Sequence, residues 1–314
     1  MPESPFDILD ERFETCVKTS AHLELHFEGC RWAEGPVYLP ASRHLLWSDV
    51  PSDRMLRWDE MTGQAGVFRQ PSGHSNGNAV DETGRLVTCE QAGRRVTRTE
   101  YDGSITVIAD RHEGRRFNSP NDVVVRSDGS IWFTDPTYGI DSDYEGHRAA
   151  SEIGACHVYR VDAIGACTVV ADDFVRPNGL AFSPDERRLY VSDTGASHVS
   201  NGPRHIRVFD VDERGALTGG AVFADCTVGA FDGFRLDDEG RIWTSAGDGV
   251  HCYDPDGTLI GKVRVGEVVA NVAFGGPKRN RLFICATTSL YSVLLPVNGA
   301  PTAPQMATRS PTSP

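Results

Sequence analysis

One phrase recurs along the chain: a turn rich in Asp, Gly, Pro or Ser, then a short run of β-forming residues. It appears as Ser42-Arg43-His44-Leu45-Leu46-Trp47-Ser48-Asp49, as Thr83-Gly84-Arg85-Leu86-Val87-Thr88 and as Asp128-Gly129-Ser130-Ile131-Trp132-Phe133-Thr134-Asp135. It returns as Glu186-Arg187-Arg188-Leu189-Tyr190-Val191-Ser192-Asp193, Glu239-Gly240-Arg241-Ile242-Trp243-Thr244 and Asn280-Arg281-Leu282-Phe283-Ile284. With Leu45, Leu86, Ile131, Leu189, Ile242 and Leu282 as anchors, the spacings are 41, 45, 58, 53 and 40 residues. Repetition at roughly 40–50 residues is the length of a four-stranded propeller blade. Turn dipeptides such as Asp102-Gly103 and Asp256-Gly257 separate the β-rich runs between anchors. No segment carries the helical stripe that a βαβ architecture needs after each strand.

The ends of the repeat fit a closed ring. Only one strand-like run, Ser289 to Leu295, follows the sixth anchor, which leaves the last blade without an outer strand. The alternating segment His22-Leu23-Glu24-Leu25-His26-Phe27 precedes the first blade and is expected to supply it, removing an exposed sheet edge. The expected fold is all-β: a six-bladed β-propeller of four-stranded antiparallel blades over residues 21–295, closed by an N-terminal strand in the last blade. Residues 1–20 read as an N-terminal extension, and the Pro/Thr/Ser/Ala-rich stretch 296–314 reads as a disordered tail.

Walking back from each anchor reveals a second regularity. Glu34, Asn76, Asn121, Asn178, Asp232 and Asn271 stand 10 or 11 residues before their anchors, each at the start of its blade's first strand. First strands line a propeller's central channel, so equal register means equal depth, and six oxygen-bearing side chains converge at one mouth. Carboxylate and amide oxygens without His or Cys suit a hard cation, Ca2+ before Mg2+ or Mn2+. The plainer alternative is that each Asx residue shapes the turn into its strand.

Glu34-Gly35-Pro36, Ser119-Pro120-Asn121-Asp122, Arg176-Pro177-Asn178-Gly179-Leu180-Ala181-Phe182-Ser183-Pro184-Asp185 and Phe231-Asp232-Gly233 resemble the signature of the senescence marker protein/gluconolactonase/luciferin-regenerating enzyme family. The resemblance runs from about Glu28 to Leu294 and is closest to the bacterial gluconolactonase-like members. It implies a six-bladed propeller with one catalytic divalent cation, Ca2+ foremost and Mg2+, Mn2+ or Zn2+ as alternatives. By matching motif, Glu34, Asn121, Asn178 and Asp232 are its implied protein ligands. The implied activity is hydrolysis of a small-molecule sugar lactone; phosphotriester cleavage of the diisopropyl-fluorophosphatase type is the related alternative. A propeller binding module with a structural ion is the non-enzymatic one.

Hydrolysis of a lactone builds negative charge on the carbonyl oxygen, which a cation with open positions stabilises. Water is then the nucleophile, with Asp232 the first choice as general base and Asp122 the second. Asn76 and Asn271 are candidates for contacts to substrate hydroxyls or for supporting the ligands, and His74 for a place near the mouth. Gly73-His74-Ser75-Asn76-Gly77 satisfies the G-x-S-x-G pattern of serine hydrolases but lacks the helix that a nucleophile elbow requires. Asp141-Ser142-Asp143-Tyr144-Glu145-Gly146 with Glu152 nearly matches a calcium loop, again without flanking helices. This stretch falls in the longest repeat spacing, so residues 136–155 are expected to overhang the cation as a lid, with Tyr138 and Tyr144 as possible substrate contacts.

Other classes drop out on charge and hydropathy. With 31 basic against 44 acidic residues, the net charge of −13 argues against a nucleic-acid partner. No apolar run nears the roughly 18 residues of a membrane span, and the first residues lack the pattern of an export signal. Eight scattered cysteines without a C-x-x-C pair read as reduced structural thiols, which suits a cytoplasmic protein. The sequence carries no signal of oligomeric state.

Overall fold

Each repeat forms one antiparallel sheet in the computed structural model, which describes residues 4–307. Blade one runs Ala33–Leu39, His44–Asp49, Arg54–Asp59 and Ala65–Arg69; blade two Ser75–Val80, Leu86–Glu90, Arg95–Thr99 and Ile105–Ala109. Blade three is Val123–Val125, Ile131–Asp135, Cys156–Val161 and Cys167–Phe174; blade four Pro177–Phe182, Arg188–Asp193, His205–Val211 and Leu217–Asp225. Blade five is Phe234–Leu236, Ile242–Ala246, Gly249–Tyr253 and Leu259–Arg264; blade six Val269–Gly275, Arg281–Ala286 and Ser289–Leu294. Every anchor thus lies in a second strand. The first strands pack side by side around the ring, that of blade six against that of blade one. The six-bladed, all-β architecture is the one the repeat predicts.

Closure also follows the sequence. Glu24–Glu28 pairs with Ser289–Leu294, placing Glu24 opposite Ser292 and Leu25 opposite Tyr291, and becomes the outer strand of blade six. The blades are glued by side chains of the second strands, with Trp47, Trp132 and Trp243 wholly buried in blades one, three and five. The eight cysteines are free thiols, six of them buried. No helix of the described residues is long and apolar enough to cross a membrane.

Both ends of the chain are more engaged than their composition suggests. Phe6–Ile8 adds a fifth strand to blade five, pairing Phe6 with Val263 and Ile8 with Gly261. The following 3-10 turn, Glu11–Cys16, drives Phe13 into the blade, fully buried with its ring 5.8 Å from Trp243. Gly261 is needed there: a Cβ on it would lie 2.0 Å from the Phe13 ring. The extension is therefore part of the propeller wall, a role that three residues without a clear alternation cannot announce.

The stretch read as a disordered tail departs from that expectation over its described part. Gly299 bridges Asp237, Ala300 N–H donates to Leu236 O at 2.9 Å, and a helical turn covers Ala303–Ala307. Residues 308–314 lie outside the described residues. Pro301 and Met306 close the channel end opposite the polar ring over an apolar cavity of about 150 Å³, lined by Val37, Val124, Phe182 and Phe274.

Removing a buried aromatic loses its transfer energy and leaves a cavity. Phe13→Ala is expected to lower the unfolding free energy by about 3 kcal/mol or more in denaturant titrations. An unchanged midpoint would mean the N-terminal segment is a dispensable appendage.

Candidate active site at the channel mouth

The site exists because the six first strands approach the axis closely. Gly77 N–H donates to Asn121 O at 2.7 Å, Gly179 N–H to Asp232 O at 3.2 Å and Gly233 N–H to Ala270 O at 2.8 Å. A Cβ on Gly35 would come 1.9 Å from Asn76 O, and one on Gly179 2.3 Å from Asp232 O. Gly35 also has a φ of +49°. Only glycine tolerates such contacts, so four of the six ring residues are followed by it: Glu34-Gly35, Asn76-Gly77, Asn178-Gly179 and Asp232-Gly233.

Three aspartates at the ends of second strands hold three of these residues in the same manner, Asp49 through Oδ1 alone and Asp135 and Asp193 through both oxygens. Asp49 accepts the backbone N–H groups of Arg31 and Trp32 at 2.9 and 3.3 Å. Asp135 accepts those of Asn118 and Ser119, both at 2.8 Å, and Asp193 those of Val175 and Arg176, both at 2.9 Å. In every case the donors stand three and two residues before the ring residue: Glu34, Asn121 and Asn178. The hydroxyl residue before each aspartate reaches into the next blade. Ser48 donates to Asn76 O at 2.7 Å, Thr134 to Asn178 O at 2.7 Å and Ser192 to Asp232 O at 2.9 Å. Blade two departs from the scheme, because His74 N–H goes to Asp53 instead. These aspartates were visible as the last letters of the repeated phrase, but a strand-ending Asp reads first as a turn former.

The ring concentrates carboxylates. Glu34 is buried, its Oε1 accepting from Trp32 Nε1 at 3.3 Å and its Oε2 from Gly35 N–H and Asn271 Nδ2, both at 3.2 Å. Burial, reinforced by the nearby charge of Asp122, lifts its carboxyl from an ordinary 4.5 to about 7. Asp232 lies within hydrogen-bond reach of Glu34; burial and then the Glu34 charge raise its carboxyl well above the usual range. Asp122 is pinned, with Oδ1 accepting Val123 N–H at 2.9 Å and Oδ2 facing Arg235 Nη1 at 3.3 Å.

The ring's amides divide by role. Among the described residues, the Asn121 side chain has no protein hydrogen bond, and Asn178 uses only its Nδ2, toward Thr194 Oγ1 at 3.4 Å. Their carbonyl oxygens have no protein donor among the described residues. Two buried carboxylates, one of which raises the pKa of the other, together with two free amide oxygens are a donor set that suits a hard cation. Among the described residues no trio of His, Cys, Asp and Glu side chains forms a metal cage, so a cation would depend on these amides. Asn271 supports Glu34, and its Oδ1 is taken by Val272 N–H at 2.8 Å. Buried Asn76 keeps Oδ1 unpartnered.

Residues 136–155 do reach over this mouth. Tyr138, in the short helix Tyr138–Asp141, places its hydroxyl 2.5 Å from Thr194 Oγ1 and 3.1 Å from Ser197 Oγ; burial pushes its phenol up to about 12. It thereby joins the lid to the same threonine that holds Asn178. His74 is occupied as well, with Nδ1 2.9 Å from Val50 O and its ring 5.6 Å from that of His147 in the lid. Tyr144 lies exposed under the Arg31 guanidinium.

The two competing motifs dissolve in the same geometry. Ser75 opens a strand rather than a helix, and its Oγ meets Ser48 Oγ at 3.0 Å, with no imidazole bound to it. In the near calcium loop, Asp141 pairs with Arg176 at 2.6 Å, Asp143 accepts Arg148 N–H and Glu152 accepts Arg116 N–H, so the carboxylates do not converge.

Asp193→Ala would orphan the two N–H groups that set Asn178, and is expected to lower stability by about 2 kcal/mol or more. Asp210→Ala, at an exposed position, is the control in the same denaturant titration. A pH dependence follows from Glu34. Its folded pKa of about 7 exceeds the ordinary 4.5, so its contribution favours the fold while protonated and is lost as pH rises through that window. Chelator-treated protein is expected to melt at progressively lower temperature from about pH 4.5 to 7, with Glu34→Gln flattening the trend.

Residues 32–288 match the family model described as the SMP-30/gluconolactonase/LRE-like region. A gluconolactonase from Zymomonas mobilis is 30% identical over 306 residues, covering 90% of this chain and 83% of the relative. A pentonolactonase from Haloferax volcanii is 32% identical over 264 residues, covering 81% of each. The solved structure of a gluconolactonase from Xanthomonas campestris superposes with a TM-score of 0.86 at 37% identity, covering 93% of this chain and 96% of that one. With the ring, its glycines and its strand register in place, the chain belongs to the SMP-30/gluconolactonase/LRE-like family.

Proposed function

We propose that the protein is a divalent-cation-dependent lactonase that opens a sugar aldonolactone. The observation that carries this reading is the pairing of two buried carboxylates with raised pKa values, Glu34 and Asp232, with the free carbonyl oxygens of Asn121 and Asn178. The relatives support the substrate class, two of them being named gluconolactonase and pentonolactonase. Glu34, Asn121, Asn178 and Asp232 would hold the cation, and their carboxylate and amide oxygens favour Ca2+ over Zn2+, with Mg2+ and Mn2+ between them. Free cysteines throughout the described chain suit a reducing, cytoplasmic setting.

When bound, the cation supplies Lewis-acid polarisation of the lactone carbonyl and offsets the charge that develops on its oxygen. The protein's own groups do the rest. Asp232 is the general base: among the described residues no N–H donor approaches its carboxylate, and burial with the Glu34 charge raises that carboxyl well above its usual range, which makes it a stronger base than an exposed aspartate. Asp122 is the weaker candidate because Arg235 and Val123 N–H already hold both its oxygens. Water oxygen attacks the carbonyl carbon while Asp232 takes its proton. The ring C–O bond then breaks, the leaving alkoxide recovers that proton, and an open-chain hydroxy acid departs. Asn271 keeps Glu34 oriented, and Thr194 does the same for Asn178 while anchoring the lid through Tyr138.

The reading is tested by pH-stat hydrolysis of glucono-δ-lactone with and without chelator. Activity is expected to vanish on chelation, return with Ca2+, and fall about 10²–10⁴-fold in Asp232→Asn. Full activity after exhaustive chelation would remove the mechanism, and preferential cleavage of an organophosphate fluoride would move the protein to the phosphotriesterase class. In a crystal grown with calcium, ion-to-oxygen distances of about 2.3–2.6 Å to the four side chains are expected.

A further inference from the structure

At the channel end away from the polar ring, the position three residues beyond each ring residue faces one chamber. Five of these positions are apolar, Val37, Ala79, Val124, Ala181 and Phe274, and the sixth, in blade five, is Arg235. All six line the cavity of about 150 Å³ that Pro301 and Met306 close. A charge in an otherwise apolar wall costs free energy unless its donors find partners. Part of the guanidinium is spent on the fold: Nη1 donates to Phe234 O at 2.7 Å and faces Asp122 Oδ2 at 3.3 Å. Nε and Nη2 have no hydrogen-bond partner among the described residues, and with the side chain 19% exposed neither is sealed.

The other polar side chains of the lining are already engaged. Asn78 gives Nδ2 to Gly35 O at 2.9 Å and takes Thr88 Oγ1 on its Oδ1 at 2.8 Å. Glu186 uses both oxygens on Ser127, Ser183 Oγ donates to Asp185 at 2.6 Å, and Thr302 Oγ1 donates to Gln305 Oε1 at 3.3 Å. What the chamber offers a guest is therefore apolar wall and one open edge of a guanidinium. That edge, Nε with Nη2, is able to clasp a carboxylate through two parallel hydrogen bonds. A dry cavity of this volume takes a molecule of about six non-hydrogen atoms, the size of benzene or of butyrate.

We propose that this chamber is a second binding site, which takes a short-chain aliphatic monocarboxylate. The carboxylate lies on Nε and Nη2 of Arg235, and the alkyl chain lies among Val37, Val124, Phe182 and Phe274. Entry is through the cap. Its backbone is anchored by Ala300 N–H on Leu236 O at 2.9 Å, and beyond that point Gln305 and Met306 N–H both return to Thr302 O, at 2.9 and 3.0 Å. The turn over the chamber thus closes these hydrogen bonds on itself, and it can part from the blades without opening a sheet. The site uses none of the four candidate cation ligands and goes beyond the lactonase reading.

The test is isothermal titration of the calcium-loaded protein with butyrate, n-butylammonium and n-butanol, which share a chain and differ in the head group. Butyrate is expected to bind about tenfold or more tightly than either of the others, as for hydrogen bonds to a charged group. Octanoate, too long for the chamber, is expected not to bind. Val124→Phe fills the chamber from its wall and should abolish butyrate binding. Should that variant fail to fold, a wild-type crystal soaked in butyrate decides, with the carboxylate expected about 2.7–2.9 Å from Arg235 Nε and Nη2. Equal affinity for butyrate and n-butylammonium, retained binding in folded Val124→Phe, or butyrate found only on calcium at the mouth overturns the proposal. Density at soaking concentration without binding in solution overturns it as well. Lactone hydrolysis is not part of the readout, so failure of the lactonase reading leaves the result standing.

Discussion

The contact between backbones at the channel axis is the constraint from which the rest of the molecule follows. Six first strands meet so closely that Gly77, Gly179 and Gly233 bond to the neighbouring blade's ring residue or the one before it. That proximity forces glycine after four of the ring residues. A propeller with looser first strands would keep its blades and lose the site.

Convergence has an electrostatic consequence. Glu34 and Asp232 are brought together from blades one and five, with Asp122 of blade three close enough to add to the strain on both. The protein answers part of this internally, because Arg235 reaches across the channel to Asp122. No described cation answers Glu34 and Asp232 in the same way. Both carboxyls therefore hold their protons to higher pH than exposed ones do, and a divalent ion seated between fixed oxygens would take the place of those protons.

How much of this was legible depends on whether the information was periodic. The second-strand anchors repeat, so blade number and closure by Glu24–Glu28 could both be read by counting. Phe6–Ile8 could not, since three residues carry no alternation and their partner strand lies far along the chain. The docking of Gly299 and Ala300 escaped for a different reason: it is made by backbone groups, which leave no mark in a Pro/Thr/Ser-rich composition. At the site, the register found the ring, while the divided roles of Asn271 and Asp122 depend on pairings with Glu34 and Arg235 that span most of the fold. Asp49, Asp135 and Asp193 were in plain view within the repeated phrase, yet only the donors arriving from three and two residues before each ring position disclose their task.

Those three aspartates also explain why the candidate ligands fall where they do. Blades one, three and four place an Asp at the end of the second strand and carry Glu34, Asn121 and Asn178. Blade two ends its second strand with Glu90, which turns to Arg95 and Thr97, and its ring residue Asn76 lies outside the candidate ligand set. Blade five has no carboxylate at that position and holds Asp232 through Ser245 Oγ on its backbone N–H instead. Asp232 is tied no more loosely for this, because its carbonyl accepts from Gly179 N–H at 3.2 Å and from Ser192 Oγ at 2.9 Å. Its backbone is thus held from blade four as well as from its own blade, while among the described residues no N–H donor takes up its carboxylate, and that combination of a fixed backbone and an open carboxylate is what the proposed base needs.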